Sequence, residues 1–275
     1  MAESVRAALA VFRKEWIVLL RYPTWIVAVL VWPALFPAMY VFMARALSGP
    51  DARAVAAFSS VSGTEDYVGY LLFGTTLWMI LNMTLWNLGS HLRMEQIRGT
   101  LEATWTTPAS RLGMLLGASG MQLVQSAGFL APTLLIVRWV YGFSLHGDPL
   151  LLLALLVLSL LPVIGLGIVF ASMVLWLKEI NSFVFLVRGV FMVFAGMTYP
   201  IEVLPGWMQK VSAALPLTYA IRSMRAVGLT GAGWADVRQD ALALAVFSVV
   251  FLALGVAAFR LVERHGQKTG ALSHY

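Results

Sequence analysis

The chain has 275 residues, 60% of them hydrophobic and only 12% charged, with a mean hydropathy of +0.83. Soluble domains are nearer half apolar and about a quarter charged, so this composition excludes an ordinary soluble domain and indicates an all-α membrane protein with a single transmembrane domain over 1–275. The net charge of +6 lies on basic residues scattered at the ends of apolar runs, which favours a positive-inside bias over a nucleic-acid face, and the absence of cysteine excludes disulfides and thiol chemistry.

The first element is an amphipathic stretch over 4–21. Val5, Leu9, Phe12, Trp16 and Leu20 recur at helical spacing, while Arg6, Arg13, Lys14 and Arg21 lie elsewhere on the wheel. That pattern predicts an interfacial helix in the headgroup region; the plainer alternative is a water-exposed extension of the first span. Tyr22-Pro23 ends it. A first span follows at about 24–43, with Pro33 and Pro37 expected to kink it, and the basic and apolar runs are too long for a cleaved secretory signal.

Residues 48–66 read as a polar loop. Further spans are expected at about 67–88, 112–137, 149–176, 182–198 and 241–259. Between the last two, Pro200, Pro205 and Pro216 punctuate a more polar stretch over about 200–228. It divides into short helices at Gly206–Leu215 and Leu217–Val227, too short to cross hydrocarbon, with Pro205 suited to a helix start and Gly228 to a stop. Six spans put both termini on one side, and the excess of Lys and Arg there predicts that this side is cytoplasmic.

No G-x-x-x-x-G-K-[ST] occurs, so no P-loop binds nucleotide on this chain. His91, His146, His265 and His274 are dispersed, no metal-ligand motif exists, and no catalytic residue is expected. No span carries a relay of ionisable residues, and no internal repeat suggests a secondary transporter. Uphill transport would draw its energy from a partner.

The one charged interruption between apolar runs is Arg93–Arg111. Gly99 breaks the helix leaving the second span and Pro108 stops any helix before the third. Between them Thr100–Thr106 can form about two turns, with Leu101 and Trp105 on one face and Glu102 in the first turn, where the helix dipole favours it. Glu95, Gly99-Thr100-Leu101-Glu102 and Thr107-Pro108 together resemble the E-x-x-x-G-T-L-E-x-x-x-x-T-P segment of ABC type-2 exporter permeases. The run from Tyr199 to Pro205, then Leu215-Pro216-Leu217-Thr218-Tyr219, is similar to the P-x-x-x-L-P…L-P-L-T-Y pattern after that family's fifth span.

The resemblance covers nearly the whole chain. It implies six transmembrane helices, an N-terminal interfacial helix and a re-entrant helical hairpin, in a permease of the plasma (cell inner) membrane that pairs with a second copy or a related permease. Separate ABC ATPase subunits would bind ATP and Mg, with no cofactor on this chain. Glu95, Gly99, Thr100, Leu101, Glu102, Trp105, Thr107 and Pro108 would form the coupling helix (about 99–107) and its surround; the alternative is a loop helix that merely caps two spans. Pro200, Glu202, Pro205, Pro216 and Tyr219 would belong to an extracellular gate hairpin, or to a surface helix pair without a gating role.

For the substrate path, Thr75, Trp78, Asn82 and Trp86 share one face of the second span, and Arg188, Phe191 and Met192 lie on the fifth. The resemblance places these two spans at the dimer interface. Arg188 either lines the path or snorkels to the headgroups, and the Trp/Asn stripe either lines it or simply packs. The expected function is export of an amphipathic substrate, such as a lipid-linked glycan, lipo-oligosaccharide or hydrophobic drug. The alternatives are an ion-extruding transporter of the same architecture and a non-conducting scaffold that recruits an ATPase.

Overall fold

A computed structural model describes residues 2–48, 53–64, 66–100, 107, 109–142, 144–174 and 181–269. Among these residues the protein is entirely helical. The elements are α1 (Ala2–Arg21), α2 (Pro23–Ser48), α3 (Arg53–Ser62), α4 (Tyr67–Gly89), α5 (His91–Ile97), α6 (Arg111–Tyr141), α7 (Pro149–Val174), α8 (Asn181–Phe194), a 3-10 turn at Ile201–Val203, α9 (Gly206–Ala213), α10 (Pro216–Thr230) and α11 (Trp234–Thr269). Four of them, α4, α6, α7 and α11, are long and apolar enough to cross a membrane. Leu35–Ala44 of α2 and Ser182–Phe194 of α8 are shorter apolar helical stretches.

Local chemistry sets the helix ends. The Asp66 carboxylate accepts from the Gly69 N–H at 2.8 Å to start α4, and the Ser110 hydroxyl accepts from the Gly113 N–H at 3.1 Å to start α6. Gly142 and Gly231, both at φ +69, end α6 and α10 in the left-handed conformation that only glycine enters without penalty. The expected stop at Gly228 is therefore corrected. The helix runs through it, because a side chain there would collide with the Phe73 ring, whereas Gly231 supplies the turn. The expected loop at 48–66 is also corrected in part: its alanine-rich centre forms α3, whose Phe58 sits edge-on to Tyr70 at 5.0 Å.

Close backbone approach at glycines dictates the helix pairs. A Cβ on Gly113 would lie 2.5 Å from the Ser4 carbonyl oxygen, and one on Gly117 would overlap the Ala8 carbonyl, so α1 runs lengthwise along the start of α6 in the same direction. Gly165 of α7 meets the backbone of α11 at Phe251, and Gly255 of α11 meets the Gly165 carbonyl in return, which seats α11 along α7. α4 is the pillar of the core. Leu72, Leu77, Leu81 and Leu85 are almost wholly buried, and Trp78 stacks on Phe36 of α2 with centroids 5.4 Å apart. Arg111 pairs with Glu263 at 3.1 Å, so the start of α6, the start of α1 and residue 263 share one end of the bundle.

At the opposite end, Arg225 of α10 is only 8% exposed. Its guanidinium donates to the Tyr70 carbonyl at 3.1 Å, to Gly196 at 2.8 Å and to Met197 at 2.5 Å, while lying 3.4 Å from the Tyr70 ring centroid. Those carbonyls belong to α4 and to the segment after α8, so one side chain ties three elements. Gly74 leaves the room for it, since a side chain there would strike both Arg225 and the Met197 carbonyl.

Two outcomes are expected. Gly117→Ala should lower the melting temperature of the purified protein, whereas Gly128→Ala, whose Cβ would meet nothing within 4 Å, should hold or raise it; equal effects would show that α1 is not seated by close approach. Arg225→Lys keeps the charge but loses the planar fork, and should cost about 1–3 kcal/mol for each carbonyl left unsatisfied, read as a fall in thermal stability.

Candidate functional site

The residues of the charged segment that are described lie at the α1 end of the bundle. α4 passes through Ser90 into α5, and Gly99 at φ +70 turns the chain out of that helix. Leu101, Glu102, Trp105 and Pro108 fall outside the described residues. Thr107 is exposed. Among the described residues of the charged segment, the most connected is Glu95.

Glu95 is 8% exposed, and both of its carboxylate oxygens are engaged. Oε1 accepts from Lys14 Nζ at 2.7 Å and lies 3.6 Å from Arg98. Oε2 accepts from the Thr100 hydroxyl at 2.6 Å. Burial by itself would raise the Glu95 carboxyl, but the hydrogen bonds from Lys14 and Thr100, with the charges of Lys14 and His91, hold it below the usual carboxylate range. Burial lowers the neighbouring His91 imidazole below its ordinary value, against the opposing pull of Glu15 and Glu95. One carboxylate thus joins α1, α5 and the first residue beyond Gly99.

The structure also brings Glu15, His91 and Glu95 together, with ligand atoms within 4.8 Å of one another, which the dispersal of histidines along the sequence does not suggest. A cation already fills the centre of that set: Lys14 Nζ sits against Glu95 Oε1, and Arg98 flanks it. The arrangement is an ion-pair cluster. Lys14 is the functional partner that sequence reasoning misses. The one available signal is the small-residue spacing Gly113–Gly117, which seats α1 beside α6 and so delivers Lys14 to α5.

The residues expected along a path divide into two groups. Thr75 is fully buried and its hydroxyl donates to the Leu71 carbonyl at 2.6 Å, while Trp78 is closed against Phe36. Asn82 and Trp86, nearer the Glu95 end, face α8: the Arg188 Nε donates to the Asn82 amide oxygen, and the guanidinium lies 5.3 Å from the Trp86 ring centroid. Phe191 is buried and Met192 is exposed. A second polar group on α4 faces α6, where Thr84 meets Ser126 at 3.1 Å and Asn87 donates to the Gln122 amide oxygen at 3.2 Å. Hydroxyls and amides pair in this apolar setting because an unmade hydrogen bond there costs more than in water.

At the Arg225 end, Pro200 and Pro216 are buried, Glu202 and Pro205 are exposed, and the Tyr219 hydroxyl donates to the Ala213 carbonyl at 2.9 Å. Arg222 pairs with Asp240 of α11 and lies over the Tyr219 ring. A cavity of about 300 Å³ opens there between α3, α4 and α10, with Arg225, Tyr70 and Glu202 on its wall.

A double-mutant cycle on Lys14→Met and Glu95→Gln, followed by thermal unfolding, should give a coupling of about 0.5–3 kcal/mol; strict additivity would show that the contact contributes nothing. Because the Glu95 carboxyl is held low, this coupling is present above the ordinary carboxylate range. It is lost only as the pH falls through the lowered value.

The chain was compared with known proteins. The family model described as "ABC-2 type transporter" matches residues 6–229. The linearmycin resistance permease protein LnrN of Bacillus subtilis (strain 168) is 28% identical over 127 residues, covering 46% of this chain and 33% of that protein. The inner membrane transport permease YhhJ of Escherichia coli (strain K12) is 24% identical over 194 residues, covering 68% of this chain and 51% of that protein, and its Shigella flexneri counterpart matches equally. The chain thus spans about a third to a half of the length of these curated relatives. With the family match extending from α1 to α10 across an apolar helical bundle, the chain belongs to the ABC-2 type transporter family and is an integral membrane protein.

Proposed function

We propose that this chain is the permease unit of an ATP-driven exporter of amphipathic substrates. In this reading α2, α4, α6, α7, α8 and α11 are its six spans, α1 is the interfacial helix, and the α1 end of the bundle is cytoplasmic. The segment from 200 to 228 is the re-entrant hairpin on the outer side. Two such permeases pair through the faces of α4 and α8, and ABC ATPase subunits, carrying ATP and Mg, dock on the helix at about 99–107 through Gly99, Leu101, Glu102, Trp105 and Pro108.

The observation that carries the reading is the Glu95 joint. The acid of the family's motif is tied to α1 by Lys14 and to the segment beyond Gly99 by Thr100. A displacement imposed on residues 99–107 by a closing ATPase would therefore move α5 and α1 together. α5 continues α4 with only Ser90 between them, whose hydroxyl and N–H both donate to the Trp86 carbonyl, so the same displacement reaches Trp86, Asn82 and Arg188. Those three side chains form the inner part of the proposed path. The absence of an Asp, Glu and Lys relay along the spans favours an amphipathic cargo over an ion.

The test uses the permease co-purified with its ATPase in lipid. Gly99→Pro and Glu102→Arg should abolish cargo-stimulated ATP hydrolysis. Unchanged stimulation and transport in both variants would sink the coupling role. Stimulation by inorganic ions alone would replace the amphipathic cargo with ion extrusion, and hydrolysis indifferent to every cargo would favour a scaffold.

A further inference from the structure

A cavity of about 540 Å³ lies at the α1 end between α1, the α4–α5 junction and α6. It is within the range of roughly 300–1,000 Å³ typical of small-molecule pockets. It lies on the α1 and α6 side of α4, shares Trp86 with the α4–α8 face on which the path was placed, and its lining has two distinct chemistries. Asn87, Gln122, Gln125 and Tyr22 supply uncharged donors and acceptors; Trp86, Val18, Leu19 and Met94 supply an apolar wall that is partly exposed.

The charge on the wall is balanced. Glu15 and Arg98 line the same cavity, and the Lys14–Glu95 pair stands behind them. A headgroup of either charge would be attracted by one of these residues and repelled by the other, so neither sign gains a net advantage. The His91 imidazole on the same wall is held toward its neutral form by burial. Hydrogen-bonding capacity, in contrast, is in surplus. Asn87 spends one N–H on Gln122, which leaves its second N–H and its amide oxygen, and Gln125 adds another amide one turn along α6 from Met121.

We infer that this cavity is a binding site for an uncharged, hydrogen-bonding headgroup, of glycoside or amide type, carried on an apolar chain that lies against Val18, Leu19 and Trp86. The inference deepens the exporter reading and rests on it for the role of the ligand as cargo. Trp86 is the link between the two, because the ring that lines the cavity also lies under Arg188. A headgroup leaving past Trp86 meets the Asn82–Arg188 contact next.

The test measures binding to the permease alone in lipid nanodiscs, without ATP or ATPase. Chain-matched probes below solubilising concentration are titrated while the melting temperature is followed: dodecyl glucoside, dodecylphosphocholine, dodecyl phosphate and dodecyltrimethylammonium. Dodecyl glucoside should stabilise the protein saturably, with an apparent affinity about tenfold weaker in Asn87→Leu and in Gln125→Leu, as loss of one or two hydrogen bonds implies. Among the described residues the Gln125 side chain has no hydrogen-bond partner, so its variant remains informative if Asn87→Leu folds poorly. Equal responses to all four probes, a phosphocholine response matching the glucoside, or a glucoside response unchanged in Gln125→Leu would each overturn the site, leaving a crevice filled by bulk lipid. Because no ATP is present, failure here leaves the coupling test untouched, and failure of the coupling test leaves this binding intact.

Discussion

Two charges removed from water set the terms for this fold. Arg225 at one end of the bundle and Glu95 at the other are both 8% exposed, and in an apolar interior each must be fully partnered or expelled. They meet the requirement differently. Arg225 places three guanidinium hydrogen bonds on backbone carbonyls and its plane against one aromatic face. Glu95 uses a lysine from a helix 81 positions away and a hydroxyl five positions on. In each case the partners come from separate elements, so satisfying the charge also locks those elements to one another.

α4 runs between the two locks and carries both. Its Tyr70 carbonyl takes a bond from Arg225, and its continuation α5 bears Glu95. Between them its side chains are buried against α2, α7 and α10, which makes it stiff, while its side-chain hydrogen bonds to α6 and α8 form two seams near the Glu95 end. A stiff rod with polar seams at one end suits a part that receives a push at its base. The exporter reading and the proposed headgroup cavity both follow from that asymmetry.

The motif acid Glu95, the break at Gly99 and the short proline-started helices after α8 are legible without coordinates, because each depends on local chemistry: a carboxylate in a charged run, a glycine free to take positive φ, prolines that start or stop helices. Gly228 and Gly231 show where that legibility ends. Both look like helix stops; only the presence of Phe73 against residue 228 reveals that one glycine serves packing and the other the turn. The stripe of Thr75, Trp78, Asn82 and Trp86 likewise shares one face by periodicity, yet α2 closes its first half and α8 meets its second.

By itself the amino-acid sequence determined the class: its apolar runs are long enough for membrane helices, and two separated motifs mark the family. Those conclusions need only hydropathy, helix period and short-range backbone chemistry. The tertiary structure alone decided that Lys14 reaches Glu95, that Arg225 is paired with backbone carbonyls, and that Asn87 and Gln122 border a cavity beside α1. Each of those depends on which helices touch and at what register. That in turn depends on glycines such as Gly74 and Gly117, whose missing side chains matter only when a neighbour occupies the space.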